Sequence, residues 1–310
     1  MAKSEPALIA IAYRYFMAVA ELGSVRAASR ELNVAASAIS RQLILLQSAL
    51  GNRLFDRSGR GLKLTPAGDI LLRGLRRAAQ GHETTLDELS ALRNLTRGRL
   101  RVATVESVSA AVLPDMLEHF ARSYPGIEVQ VTVAGSEAVT QLVREHQAEV
   151  GFTFNPSSLD GLEVLASRDL ELGAVMAPGH PLAAARKLSL ADCADHPLAW
   201  PAPGLSLRAI LDSVPAARRL TPSFECNSLR LMAALASRGS YIAFQTVIGI
   251  ESELAAGTLV FRPLSDKRLP VDRLRIVARS GTGARRTIDA FLEIVMHFLR
   301  KRRVGVDPGA

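Results

Sequence analysis

The chain has 310 residues, of which 48% are hydrophobic and 22% charged, with 38 Lys and Arg against 30 Asp and Glu. This composition excludes a chain that is disordered throughout, and two cysteines are too few for a disulfide scaffold. The sequence has no run of eighteen apolar residues that could form a membrane-spanning helix. The N-terminal segment also lacks the features of an export signal. We therefore expect a cytoplasmic protein with reduced thiols and no membrane partner.

Positive charge is concentrated in the first third of the chain. Residues 1–97 hold 14 Lys and Arg and 8 Asp and Glu, a net of +6, whereas residues 98–310 hold 24 and 22, a net of +2. A small basic module attached to a nearly neutral body is typical of a nucleic-acid-binding protein. A solvated basic surface would show the same charge, so charge alone does not decide between the two.

Residues 8–66 show the pattern of three helices followed by a β-hairpin. Apolar residues recur at helical spacing up to a Gly-Ser pair, in which Ser24 is the predicted N-cap of the second helix. A third helix runs from Ala36 to its predicted end at Gly51. Two short apolar patches then flank a glycine-rich turn, as in a hairpin. Residues 24–43 are thus predicted to form a helix, a short turn and a second helix.

The second helix of this motif begins with small residues and exposes polar ones. Small residues let a helix backbone approach base edges, while hydroxyl, amide and guanidinium groups donate hydrogen bonds to bases and phosphates. The hairpin adds cations for phosphate or minor-groove contact. The predicted DNA contacts are Arg26, Ala36, Ser37, Ser40, Arg41 and Gln42 in the helical motif, and Arg53, Arg57, Arg60 and Lys63 on the hairpin.

Residues 67–96 are predicted to form a long linker helix. Its apolar residues alternate in steps of three and four, which favours a coiled-coil seam between two chains. An amphipathic helix that packs on its own domain has nearly the same pattern and is therefore the alternative to a seam between chains. The predicted dimerisation residues are Leu72, Leu75, Ala79, Leu86 and Leu89.

From residue 98 the pattern changes to alternating strands and helices, which indicates α/β structure with an open, largely parallel sheet. Residues 98–303 divide into subdomain I, at about 98–168 and 272–303, and subdomain II, at about 169–271. Ligands of such folds bind at the carboxyl ends of the strands and in the cleft between subdomains.

The N-terminal region closely resembles the DNA-binding domain of the LysR-type transcriptional regulators, and the rest of the chain fits that family over nearly its full length. The matching residues are Phe16, Gly23, Ser24, Ala27, Ala28, Leu32, Ser40, Arg41, Gln42, Leu50, Gly51, Leu54, Phe55, Arg57, Leu64, Thr65, Ala67 and Gly68.

The resemblance implies a winged helix-turn-helix, a linker helix and two Rossmann-like subdomains similar to type 2 periplasmic binding proteins. It implies a homo-oligomer, expected to be a dimer of dimers and thus a homotetramer, that binds an interrupted inverted repeat in double-stranded DNA. It also implies a small-molecule effector, expected to be an organic acid or a similar metabolite, and RNA polymerase as a further candidate partner.

The resemblance assigns effector binding to segments at predicted helix N-termini, where free N–H groups favour an anion. Each serine there has an alternative role as an ordinary N-cap. Glu106 would repel a carboxylate if it faced the cleft, and we expect it to point outward. The expected effector-binding residues are Ser107, Ser109, Gly135, Ser136, Asn155, Pro201, Asn227, Ser228 and Thr246.

Two residues of the N-terminal region depart from the family pattern. Ala36 stands where a polar residue, often Gln, is usual, so sequence preference is expected to depend more on the hairpin and on DNA shape. Gln47 stands where Glu is usual, and the sequence does not identify its partner.

The alternative to a regulator is a solute-binding or catalytic α/β protein with an accessory helical domain. The six histidines show no metal-ligand spacing, and the nucleophile-elbow, phosphate-loop and dinucleotide motifs are absent from the sequence. We therefore predict no catalytic residue, no metal and no cofactor.

Overall fold

The computed structural model describes residues 10–58, 61–91, 98–267, 269–280 and 286–301. The chain forms two compact units, Met1–Asp87 and Glu88–Ala310. Among the described residues no helix is both long and apolar enough to cross a membrane.

The first unit consists of three helices, a two-stranded antiparallel hairpin and a fourth, long helix. Its core contains side chains from all of these elements, with Phe16, Val19 and Ile39 completely buried. The elements are α1 (Ile11–Leu22), α2 (Val25–Leu32), α3 (Ala36–Leu50), β1 (Phe55–Ser58), β2 (Gly61–Leu64) and α4 (Pro66–Ala91).

The turns between the first three helices form where the sequence predicts them. The hydroxyl of Ser24 accepts a hydrogen bond from the N–H of Ala27 at 3.4 Å and caps α2. Asn33 and Gly51 end α2 and α3 in the left-handed conformation, with φ of 52° and 64°. Ser24 and Asn33 thus bound α2, Gly51 ends α3, and Asn33 sets the short turn between the two helices.

The first turns of α4 belong to the core of the first unit. Leu72 and Leu75 are only 7% and 8% exposed and pack with Phe16 and Leu54. The prediction that these two leucines form a seam between chains is corrected, because their side chains are already buried within one chain. Ala79 is half-buried, and the side chains of Leu86 and Leu89 lie outside the described part of the chain.

The second unit holds two five-stranded sheets with helices packed on both. Short 3₁₀ helices occur in its second half. In chain order the elements are β3 (Gly98–Thr104), α5 (Glu106–Ala111), α6 (Leu113–Ser123), β4 (Ile127–Val133), α7 (Ser136–Arg144), β5 (Val150–Phe154), β6 (Leu162–Leu170), β7 (Gly173–Met176), β8 (Leu198–Pro201), α8 (Ser206–Asp212), β9 (Phe224–Cys226), α9 (Leu229–Ala236), β10 (Ile242–Gln245), α10 (Glu251–Ala255), β11 (Val260–Pro263), β12 (Asp272–Arg279) and α11 (Arg286–Lys301).

The sheet of subdomain I has the strand order β4-β3-β5-β12-β6. Strand β3 is parallel to both β4 and β5, while β12 is antiparallel to β5 and β6. The sheet of subdomain II has the order β11-β7-β10-β8-β9, in which β7 is antiparallel to both of its neighbours. Both sheets are therefore mixed, and the expectation of a largely parallel sheet is corrected.

The two subdomains are tied together beside α5. Ile248 follows β10 of subdomain II but is 3% exposed and packs in the hydrophobic core of subdomain I. The next residue, Gly249, has a φ of 99°, and a Cβ atom there would lie 3.0 Å from Ser107. This close approach requires glycine and brings the start of α5 against subdomain II.

Candidate functional sites

The outer face of α3 is polar, while its inner face is buried. Ile39, Leu43 and Leu46 pack into the core of the first unit. Ser37 and Arg41 lie four residues apart on the opposite side and are exposed, so they share one face of the helix. Ala36, Ser40 and Gln42 are half-buried next to them.

The hairpin and the segment just before it add a second set of cations to the same unit. Arg53, Arg57 and Lys63 are exposed, as is Arg26 on α2. Arg57 is registered opposite Leu62, and Lys63 opposite Asp56. Within the described residues, no carboxylate lies close enough to form an ion pair with these cations or with Arg41, so their charges are available to phosphate. Arg60 lies outside the described residues.

Two hydrogen bonds hold the hairpin in place. The N–H of Leu62 donates to the carbonyl of Gly23 at 2.9 Å, and Gly61 (φ 136°) permits this approach because a Cβ would lie 2.7 Å from that carbonyl oxygen. The N–H of Leu54 donates to Oε1 of Gln47 at 2.8 Å. This is the partner of Gln47 that the sequence does not identify.

A cavity of about 440 Å³ lies between the two subdomains of the second unit. Subdomain I contributes the ends of β3, β4 and β5 with the starts of α5 and α7, and subdomain II contributes the starts of α8 and α9. Six of the nine residues expected to bind an effector line it: Ser107, Gly135, Ser136, Asn227, Ser228 and Thr246.

The structure places the other three expected residues outside the cavity wall. The hydroxyl of Ser109 donates to the carbonyl of Glu106 within α5, at 2.8 Å. The amide of Asn155 donates to Asp272 at 3.0 Å, and Pro201 lies in the buried strand β8. Our expectation for these three is corrected, because local bonding and strand packing keep them out of the lining.

The serines of the lining serve the backbone as well. The hydroxyl of Ser136 accepts a hydrogen bond from the N–H of Phe154 at 3.1 Å. The hydroxyl of Ser228 accepts from the N–H of Leu231 at 3.2 Å and so caps α9. For Ser228 the capping role is therefore present, and a ligand-binding role would be additional to it.

Glu106 lines the cavity, contrary to the expectation that it points outward. Its carboxylate accepts hydrogen bonds from the hydroxyl of Ser228 at 2.9 Å and from the N–H groups of Leu229 at 2.6 Å and Arg230 at 3.5 Å. The partial positive charge at the start of α9 explains its direction. Glu106 thereby joins the two subdomains.

Asp272 is a lining residue that the sequence analysis missed. It is 2% exposed, and burial raises the pKa of its carboxyl to about 7, although a hydrogen bond from Ser206 acts in the opposite direction. Asp272 begins β12, far along the chain from the other lining residues, so no local motif marks it. The one signal that the sequence offers is an acidic residue at the first position of a strand.

The two cysteines are free thiols. Burial, helped by Asp192 and Asp266, raises the pKa of the Cys193 thiol to about 12, which makes it unreactive. Among the described residues no group of three or more His, Cys, Asp or Glu side chains could hold a metal ion.

Comparison with known families covers both units. The family described as "Bacterial regulatory helix-turn-helix protein, lysR family" matches residues 12–69. The family described as "LysR substrate binding domain" matches residues 93–300. Together the two matches span most of the chain.

Individual relatives agree with these matches. An uncharacterized HTH-type transcriptional regulator of Mycobacterium tuberculosis is 31% identical over 264 residues, which cover 80% of this chain and 83% of the relative. The SDS degradation transcriptional activation protein of a Pseudomonas species is 29% identical over 258 residues, covering 81% and 83%. Neither comparison supports a solute-binding or catalytic protein.

Solved structures show the same fold. A full-length OxyR variant from Pseudomonas aeruginosa has a TM-score of 0.69 at 17% identity, over 92% of this chain and 93% of that one. CbnR complexed with its target DNA has a TM-score of 0.65 at 22% identity, over 93% and 98%. The two family matches and the relative at 31% identity show that the chain belongs to the LysR family: it is a DNA-binding transcriptional regulator, not an enzyme, with an N-terminal helix-turn-helix and an effector-binding α/β domain.

Proposed function

We propose that this regulator inserts α3 into the major groove of an interrupted inverted repeat and places the β1–β2 hairpin on the flanking backbone. In this proposal residues 8–66 bind DNA, residues 67–96 link and pair the chains, and residues 98–303 bind the effector. The cytoplasm is the proposed place of action, because the target is DNA.

The observation that carries this proposal is the shared exposed face of Ser37 and Arg41 at the leading half of α3. A guanidinium on such a face can donate two hydrogen bonds to a guanine edge, and a neighbouring hydroxyl can bond to a base or a phosphate. The unpaired cations Arg53, Arg57 and Lys63 supply phosphate contacts beside it. Arg60 is proposed as a further phosphate contact of the hairpin.

A second copy of the chain is proposed to cover apolar side chains of the first unit. Ile44 and Leu45 on α3 are 64% and 53% exposed, and Ile70 on α4 is 64% exposed. Large apolar side chains so exposed are costly in water and mark interaction surfaces. Ala79, Leu86 and Leu89 are proposed to continue the contact along α4. A dimer of dimers is the proposed assembly, and a monomeric mass for the full chain in sedimentation equilibrium would contradict it.

A small molecule in the cavity between the subdomains is proposed to control DNA binding. A ligand shifts the two subdomains from one arrangement to another only if it binds one arrangement more tightly than the other. The cavity walls come from both subdomains, so a ligand there contacts both at once. RNA polymerase remains a proposed partner at the promoter.

The DNA-binding proposal is tested with Arg41→Ala on a duplex selected by the wild-type protein from a random pool. Loss of two guanidinium hydrogen bonds to a base should weaken binding by about 1–3 kcal/mol and relax the preference at one position of each half-site. The control is Arg122→Ala, which removes the same charge from the exposed surface of α6. Unchanged affinity and preference in Arg41→Ala would remove Arg41 from the DNA-reading surface.

A further inference from the structure

The ionisable side chains that line the cavity are all acidic. Two lining residues carry carboxyl groups, Glu106 and Asp272, and no Lys, Arg or His lies among the described residues of the lining. A ligand that brings a carboxylate into this cavity would find no side-chain cation to pair with it. The resemblance to the family suggests an organic acid, and a lining with acidic groups and no basic side chain does not fit one.

The helix N-terminus most suited to an anion is already occupied. Helix α9 directs the N–H groups of Leu229 and Arg230 to the carboxylate of Glu106, and Ser228 adds its hydroxyl at 2.9 Å. The protein's own carboxylate thus takes the position that an acidic ligand would need. The start of α7, at Gly135 and Ser136, also lines the cavity, but its dipole supplies only about half a charge, less than a carboxylate carries.

The nearest guanidinium on this helix does not compensate Glu106. The side chain of Arg230 donates to Glu253 at 2.7 Å and to the carbonyl of Gly249 at 3.1 Å. Oε1 of Glu106 accepts one hydrogen bond, from Ser228, and a carboxylate oxygen can accept two. Glu106 is only half-buried and lines the cavity, so it is open to a further donor there.

We propose that the effector is an organic cation, an amine or an amidine, whose N–H groups donate to Glu106, and that carboxylates are excluded. Phe154, Val133 and Leu207 offer apolar wall for the carbon skeleton, while Ser107 and Thr246 offer hydroxyl groups. The inference rests on the proposed function, because it takes this cavity as the effector site.

The test compares two four-carbon probes of opposite charge, 1,4-diaminobutane and succinate, on the full-length protein at matched ionic strength. Calorimetric titration should show the diamine binding at least tenfold more tightly than succinate, and only the diamine should raise the melting temperature. Succinate binding as tightly as the diamine, or failure of the diamine to bind at millimolar concentration, would overturn the proposal.

Two variants locate the bound charge. Glu106→Gln should weaken diamine binding at least tenfold, whereas Glu118→Gln, an exposed glutamate on α6, should leave it unchanged. Gly135→Trp should abolish diamine binding without touching Glu106, because it fills the cavity from the α7 side. Diamine binding that survives either Glu106→Gln or Gly135→Trp at wild-type affinity would overturn the assignment. The affinity of the same preparations for the selected duplex is measured separately. If the diamine fails to bind but the duplex still binds, only the cation proposal is wrong.

Discussion

The Oε1 atom of Gln47 accepts a hydrogen bond from the backbone N–H of Leu54 at 2.8 Å. Gln47 lies in the last turn of α3, and Leu54, which is 1% exposed, immediately precedes the hairpin. The bond therefore fixes the start of the hairpin relative to the helix proposed to read DNA. It also gives Gln47 an acceptor role that needs no negative charge.

Removing this acceptor should destabilise the first unit. Gln47→Ala leaves the buried N–H of Leu54 without a partner, which costs about 1–3 kcal/mol. Urea unfolding of the full chain followed by circular dichroism measures the loss. Ser48→Ala, at an exposed position on the same helix, is the control. Equal stability of the two variants would show that the bond contributes nothing.

The hairpin cations should contribute to affinity without contributing to sequence preference. Arg57→Ala removes one proposed phosphate contact, so the slope of log affinity against log salt should become shallower by about one. Binding to specific and unrelated duplexes should weaken alike, which fluorescence anisotropy at several salt concentrations can measure. An unaltered slope would place Arg57 away from the DNA backbone.

Asp272 should make stability fall as the pH rises. Burial raises the pKa of its carboxyl to about 7, whereas the unfolded value is 3.8. Between these values the unfolded chain loses the proton and the folded chain keeps it, so the free energy of unfolding decreases with pH, by on the order of a few kcal/mol in total.

The neutral variant Asp272→Asn has no carboxyl group at this position and therefore lacks this pH-dependent loss of stability. Its stability relative to wild type should therefore increase from pH 4 to about pH 7 and stay constant above that range. Urea unfolding at four pH values checks the prediction. Parallel pH profiles for the two proteins would contradict the raised pKa.

Filling the cavity should remove effector control. Gly135 lines the cavity with a φ of −70°, and a Cβ there meets nothing within 4 Å, so Gly135→Trp should fold. Any compound that changes operator binding by wild type should lose its effect on this variant. The matched control is Gly179→Trp, an exposed glycine with equally open space outside the cavity lining. A retained response in Gly135→Trp would place the effector elsewhere.

Local signals in the sequence were sufficient for the helix-turn-helix. Ser24, Asn33 and Gly51 each determine a helix end through their own backbone or side chain, so α2 and α3 could be predicted closely. Leu72 and Leu75 could not be assigned, because a coiled-coil seam and a helix packed on its own domain place apolar residues at almost the same spacing. The structure shows the second arrangement for these two leucines.

Non-local pairing explains what the sequence could not predict in the second unit. Strand β12 inserts between β5 and β6 antiparallel to both, and no feature within residues 272–279 specifies that partner choice. The direction of Glu106 likewise depends on α9, more than 120 residues further along the chain. Six cavity residues were expected because the resemblance assigns effector binding to segments at predicted helix N-termini. The acidic character of the lining was missed, because non-local contacts turn Glu106 toward α9 and bring Asp272 to the cavity.

The measurement that tests the central claim most directly is a footprint of the purified protein on the DNA upstream of its own gene, with excess competitor DNA and at two salt concentrations. We expect a protected inverted repeat that survives both competitor and the higher salt. Protection that disappears at the higher salt, or that competitor DNA of any sequence removes, would mean that the protein binds DNA only through non-specific electrostatic attraction. That result would contradict sequence-specific DNA binding.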